Sequence, residues 1–254
     1  MISVGFKTLM YREVYRFMRL FTQTVVPPIV TTMLYILIFG VSLGNRIGKI
    51  HDFPYVLYIL PGLAQMGLIN GAFSNSSFSL FQAKMERSIE NLLTSPLNYF
   101  QITLGYVFGG VVRGLTIGIC TLAVSAIFVR FPFEHIFILI FAWVGSAFFF
   151  SCMGVIAGVY AKTWDKMSNI QTFLLTPLIY LGGAFYSIDM LPTFWRNLTQ
   201  FNPIFYSVDL TRHGLLGVSD LEPVYAMTVL LILCGAAFSL AVVSFRRGTD
   251  WMIH

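Results

Sequence analysis

Four charges fall in the first nine residues of Gln82–Tyr99: Lys84, Glu86, Arg87 and Glu90. Long apolar runs flank this stretch on both sides. Burying a charge in hydrocarbon costs about 3 kcal/mol on insertion scales, so the stretch is expected in water. Its chemistry is ionic rather than catalytic. Met85, Ile89, Leu92 and Leu93 fall at i, i+4, i+7 and i+8, which gives a helix one apolar face. Pro96 ends it, because the residue before a proline is pushed out of the α region. The pattern reads as a short amphipathic helix that docks on another protein, or as a solvated loop.

Other reactive groupings are few. No glycine-rich loop of the G-x-x-x-x-G-K-[ST] type occurs, so the chain does not bind ATP in that way. The four histidines, His51, His135, His213 and His254, are scattered, and no His-Glu-x-x-His motif is present. No catalytic residue, metal site or cofactor is expected in this chain. No carboxylate falls inside an expected span. Ion-coupled transporters place carboxylates near mid-membrane, so this argues against a secondary transporter. Arg113 is the exception to the uncharged interior. An intramembrane arginine is either functional or a structural group that caps carbonyls or snorkels.

The elements that position these residues follow from hydropathy. The chain is 57% hydrophobic and 11% charged, with a mean hydropathy of +0.77, where a soluble domain carries about 25% charged residues. The expected fold is an all-α polytopic membrane protein, a single transmembrane domain over residues 1–254. Cys120, Cys152 and Cys234 all lie in apolar runs, so no disulfide framework is expected. The charge of +5 needs no nucleic acid partner.

Residues 3–21 are amphipathic. Met10, Val14, Phe17 and Phe21 share one face and Arg12, Arg16 and Arg19 another, as in a helix lying in the membrane interface with its arginines toward anionic headgroups. Six spans are expected, over about 23–44, 55–80, 101–129, 136–161, 170–186 and 224–245. Thr31 and Tyr35 share a face of the first, Asn70, Ser74 and Ser77 a face of the second; Thr176 and Tyr180 lie in the fifth. Gly110, Gly114, Gly118, Thr121 and Ser125 form a small-residue stripe on the third, with Gly154 and Gly158 on the fourth. Such stripes let helices approach closely in lipid. Residues 187–223 form a longer polar and aromatic segment in which Asp209 and Arg212 can pair at i, i+3.

Basic residues set the orientation. Lys7, Arg12, Arg16, Arg19, Lys84, Arg87, Lys162, Lys166, Arg246 and Arg247 fall on one side of such a topology. Arg46, Lys49, Arg130, Arg196 and Arg212 fall on the other. The positive-inside rule then expects both termini, and residues 82–97, in the cytoplasm.

The stretch Glu86-Arg-Ser-Ile-Glu-Asn-Leu-Leu-Thr-Ser-Pro-Leu97 resembles the segment after the second span in permeases of the ABC type-2 transporter family, where the pattern reads roughly E-x-G-T-x-E-x-L-L-x-S-P-L. Ser88 and Ile89 stand where the family has Gly-Thr. Residues 192–215, with Asn202, Pro203, Tyr206, Asp209 and Arg212, are similar to the family's outer re-entrant segment. The resemblance implies an exporter subunit in the bacterial inner membrane that forms a homodimer and binds two ABC ATPase subunits, which hold the ATP and Mg. It implies that 3–21 is the connecting helix and 82–97 the coupling helix, with Arg87, Ser88, Ile89, Glu90, Leu92, Leu93, Ser95 and Pro96 contacting the ATPase. It also implies a path along the first, second and fifth spans, for which Thr31, Tyr35, Asn70, Ser74, Thr176 and Tyr180 are the candidates. The alternatives are a membrane-embedded assembly factor or receptor and, less well supported, a secondary transporter.

Overall fold

A computed structural model describes residues 4–42, 49–50 and 53–252. The end of the first expected span, at residues 43–44, lies outside the described residues. The architecture is helical apart from one hairpin, β1 (Lys49–Ile50) paired antiparallel with β2 (Phe53–Pro54).

Helix α1 (Val4–Arg19) leads into α2 (Phe21–Tyr35), which continues through a π-helical stretch, Ile36–Ser42. Helix α3 (Tyr55–Met85) is the axis of the molecule. Of its most apolar stretch 72% is buried, against 11% for α2, so neighbours surround α3 while α2 faces outward. At 31 residues α3 is longer than its expected span and carries Lys84 within it. Arg87, at φ +55, breaks the chain away into the short α4 (Ser88–Leu93).

Helix α5 (Tyr99–Phe128) starts on a capping box. The Gln101 N–H donates to Asn98 Oδ1 at 2.8 Å, and the Asn98 N–H to Gln101 Oε1 at 3.2 Å. Helix α6 (Ile136–Tyr160) follows. The small-residue stripes lie where α5 and α6 cross α3. A Cβ on Gly110 would stand 2.8 Å from the Ala72 carbonyl oxygen, and one on Gly154 2.5 Å from that of Phe73. Neither position has room for a side chain, so the close approach the stripes imply is realised.

The fifth expected span is a broken helix: α7 (Trp164–Asn169), a π-helical stretch (Ile170–Leu175) and α8 (Thr176–Tyr180). Trp164 anchors its start, stacking on Phe78 and packing edge-on to Phe81 of α3. Among the described residues five helices are long and apolar enough to cross a membrane, and this broken helix is not one of them. After a 3₁₀ turn (Ile188–Met190) come α9 (Thr193–Gln200) and α10 (Pro203–Leu216). Asn202 caps α10, and Gly217 closes it at φ +75, a conformation glycine adopts without strain. Helix α11 (Pro223–Met252) ends the described chain.

Candidate functional site

Three groups of polar residues stand out in this apolar bundle. The first is an open face built by α2, α3 and the broken helix. Thr31, Tyr35 and Asn70 line one cavity of about 270 Å³, together with Pro28 and Met66. The Tyr35 and Tyr180 hydroxyls are 3.3 Å apart, and both rings pack on Phe185. Gln171 Nε2 donates to Ser74 Oγ at 3.0 Å, and Thr176 Oγ1 to the Gln171 carbonyl at 3.1 Å. Thr31, Tyr35, Asn70 and Tyr180 therefore form one group, and Ser74 and Thr176 a second that meets at Gln171. Gln171, which bridges two of them, was not singled out in the sequence because a lone glutamine in an apolar run carries no pattern. The face is open: Thr31 and Tyr180 are exposed, and the apolar Leu34, Leu37, Phe173 and Leu174 around them are exposed as well.

The second group is at the end of the bundle that holds α1 and α4. Here two expectations are corrected. The apolar face of α4 is not exposed for a partner: Ile89 is 0% exposed and Leu92 is buried, both in the chain's own core, and Leu93 packs against that core. A six-residue helix hanging from the bundle covers its own apolar side first, because the adjoining helices are already within reach. Arg87, Glu90, Asn91, Thr94 and Pro96 are the exposed residues. Ser88 and Ser95 bond backbone carbonyls of Ala83 and Leu92. A groove of about 370 Å³ runs between α4 and α1, lined by Thr8, Arg12, Asn91 and Ser95.

Lys84 is the second correction. Its ammonium is not simply solvated. It donates to the carbonyls of Gly158, Val159 and Ala161 at 3.1, 2.6 and 2.9 Å, capping the end of α6.

The sequence reading also missed Glu13. Helix α1 buries Phe6, Leu9, Glu13 and Phe17, so the carboxylate lies on the packed face. The spacing 6, 9, 13, 17 is the signal that could have found it. Glu13 is 1% exposed and accepts from Ser79 Oγ at 2.6 Å, Arg12 Nη2 at 3.2 Å and Arg16 Nη2 at 3.4 Å. Arg12 also reaches the Tyr106 hydroxyl, and Arg16 reaches the Asn75 carbonyl and side-chain oxygens. Burial opposes the Arg12 charge, but Tyr106 and Glu13 outweigh it and hold the guanidinium above its ordinary value. Two of the arginines expected to face headgroups thus turn partly inward. Arg113 lies within electrostatic reach of Arg16.

The third group is at the opposite end. Arg212, 1% exposed, is 3.9 Å from Asp209 and 3.6 Å from Asp220. Its Nη2 donates to the Gly183 carbonyl at 2.7 Å, and its guanidinium lies 4.1 Å over the Tyr58 ring. Asp209 accepts the N–H groups of Asp220 and Leu221. Asp220 accepts from Ser187 Oγ and the Ile188 N–H. The i, i+3 pairing is present, and Asp220 completes it from beyond the helix. Asn202 Nδ2 donates to the Leu178 carbonyl, Pro203 opens α10, and the Tyr206 hydroxyl donates to the Gln200 carbonyl. A buried relay links three helices: Thr211 Oγ1 donates to Gln65 Oε1, and Gln65 Nε2 to Ser146 Oγ.

The bundle is thus apolar overall with one polar face turned outward. Comparison with known proteins bears on this directly. The model for the ABC-2 type transporter family matches residues 4–216. The chain belongs to the ABC-2 type transporter family. It is a transmembrane permease subunit of an ABC transporter, a role in which it works with an ABC ATPase. It is 43% identical over 245 residues to the inner membrane transport permease YadH of Escherichia coli K12, covering 96% of each chain. It is 28% identical over 182 residues to nodulation protein J of Sinorhizobium fredii, covering 70% of this chain and 68% of that one. To nodulation protein J of Rhizobium leguminosarum bv. viciae it is 22% identical over 221 residues, 85% of this chain and 83% of that one.

Proposed function

We propose that two copies of this chain form an ATP-driven export path across the bacterial inner membrane. One observation carries the reading: the polar face of α2, α3 and the broken helix is built from side chains that bond one another, yet one chain leaves it open. A second copy facing it would enclose a route lined by Thr31, Tyr35, Asn70, Ser74, Thr176 and Tyr180. In that arrangement the broken helix is the fifth of six spans. The basic residues put both termini in the cytoplasm.

Each copy binds one ATPase subunit, and ATP and Mg are held there. The exposed residues Arg87, Glu90, Asn91 and Thr94 meet the ATPase, while Ile89 and Leu92 fasten α4 to the bundle. A push on α4 is then transmitted through its buried side. The test is cysteine labelling at Thr31 and Asn70 with a membrane-impermeant thiol reagent, in the complex with its ATPase. Labelling that changes with nucleotide state supports the path. Uniform inaccessibility in every state sinks it.

A further inference from the structure

The end of the bundle around Glu13 gathers more positive charge than it neutralises. Glu13 is already committed to Ser79, Arg12 and Arg16. Glu86 lines the adjoining cavity but is exposed and accepts from Gln82. Arg12 and Arg16 thus share one buried carboxylate, and Arg113 lies within electrostatic reach of Arg16.

The hydrogen bonding is lopsided in the same sense. Arg16 Nε, Asn75 Nδ2 and Arg113 Nε are out of reach of solvent and have no acceptor in the structure. All three are donors. Asn75 is 0% exposed, and its amide orientation is fixed by the bond from Arg16 to its oxygen. Its nitrogen points at Gly109, one turn from Arg113 on α5. Side chains on a helix lean toward its N-terminus, so Arg113 leans back toward α1. Buried donors in native structures find acceptors. Donors left over beside surplus positive charge call for an anion rather than a neutral group.

The surroundings favour phosphate in a lipid. Guanidinium groups recognise phosphate through paired N–H donors. A cavity of about 550 Å³ opens alongside, where Arg12, Arg16 and Arg19 outnumber the carboxylates Glu13 and Glu86. Helix α1 exposes Tyr11, Tyr15 and Met18 on its outer side, as a helix lying among headgroups does. We propose that the junction of α1, α3 and α5 binds the phosphate of an anionic phospholipid from the leaflet on which α1 lies, with Arg16, Arg113 and Asn75 as donors. This goes beyond the export reading and does not depend on it.

Native mass spectrometry of the full chain, titrated with phosphatidylglycerol or phosphatidylcholine, reads the binding. Phosphatidylglycerol should be retained in preference to phosphatidylcholine. Arg113→Gln should weaken it roughly tenfold, the effect of one charge-assisted hydrogen bond. Lys7→Gln removes the same charge from an exposed position of α1 and should leave retention unchanged. Asn75→Asp supplies an acceptor from within and should weaken binding as Arg113→Gln does, without lowering the melting temperature. Equal retention of the two lipids overturns the proposal, as does equal loss in the Arg113 and Lys7 variants. Displacement of phosphatidylglycerol by millimolar inorganic phosphate would assign the site to a soluble anion and overturn the lipid assignment.

Discussion

The two ends of the bundle both set arginines against buried carboxylates, in opposite states of balance. Around Arg212 one guanidinium faces two carboxylates, a carbonyl and an aromatic ring. Around Glu13 two guanidinium groups share one buried carboxylate, with Arg113 within electrostatic reach of Arg16. Arg212 Nε also lacks an acceptor, but there the excess is of negative charge. The Arg212 end is a knot whose members hold each other, tying α10 to α3, to Gly183 and to the loop before α11. The Glu13 end is a socket. The same residue types thus serve closure in one place and reception in the other, and the difference lies in the count of acceptors.

The largest effect should come from breaking the knot. Arg212→Met leaves Asp209 and Asp220 buried without their counter-charge. Removing one partner of a buried pair costs about 3–5 kcal/mol. Thermal unfolding of the detergent-solubilised protein should show a large drop, and an unchanged melting temperature would mean the knot is not structural. Next comes α4, the element beside the socket. Ile89→Ala should cost about 2–5 kcal/mol as a buried large-to-small change, read as lost yield and melting temperature. Glu90→Lys should leave stability intact and weaken ATPase pull-down. If Ile89→Ala unfolds nothing, α4 is not fastened as described.

Glu13→Gln should cost less than Arg212→Met, about 1–2 kcal/mol. Arg12 and Arg16 are 45% and 32% exposed, so solvent screens part of the lost pairing. Equal losses at the two ends would erase the contrast between knot and socket. The smallest effect concerns pH. His213 stacks on His135 with ring centroids 4.7 Å apart. Burial, and then His135, lower the His213 value. A depressed value means the neutral form is favoured on folding. Its contribution is present above the ordinary histidine value of about 6.5 and is lost as pH falls through the depressed one. The melting temperature should therefore be lower at pH 5 than at pH 7.5, and His213→Phe should flatten that difference.

The parts legible in the sequence are those with short-range pattern. The small-residue stripe with Gly110 marked a real crossing, and Asp209 and Arg212 declared their pairing by spacing. Thr31, Tyr35, Asn70 and Tyr180 lie together because polar residues on adjacent apolar helices have few places to go. What was not legible needed three-dimensional reach. Asp220 joins Arg212 from outside the helix. Ile89 has the pattern of a docking face, and pattern cannot say whether the chain itself or a partner covers it. Lys84 reads as a charge in water, because its acceptors lie more than seventy residues away. The fifth span has span-like composition, and only the backbone reveals its π-helical interruption.

Lys84 also bears on the order of synthesis. Residues 55–85 leave the ribosome well before Gly158, Val159 and Ala161. The last carbonyls of a helix have no partner within it, and α6 lacks a glycine after its end to turn the chain back. When α6 is threaded into the bilayer, its terminus meets an ammonium group already installed by an earlier helix. The lysine thereby marks the depth at which α6 must stop, a plumb line laid down before the beam it levels.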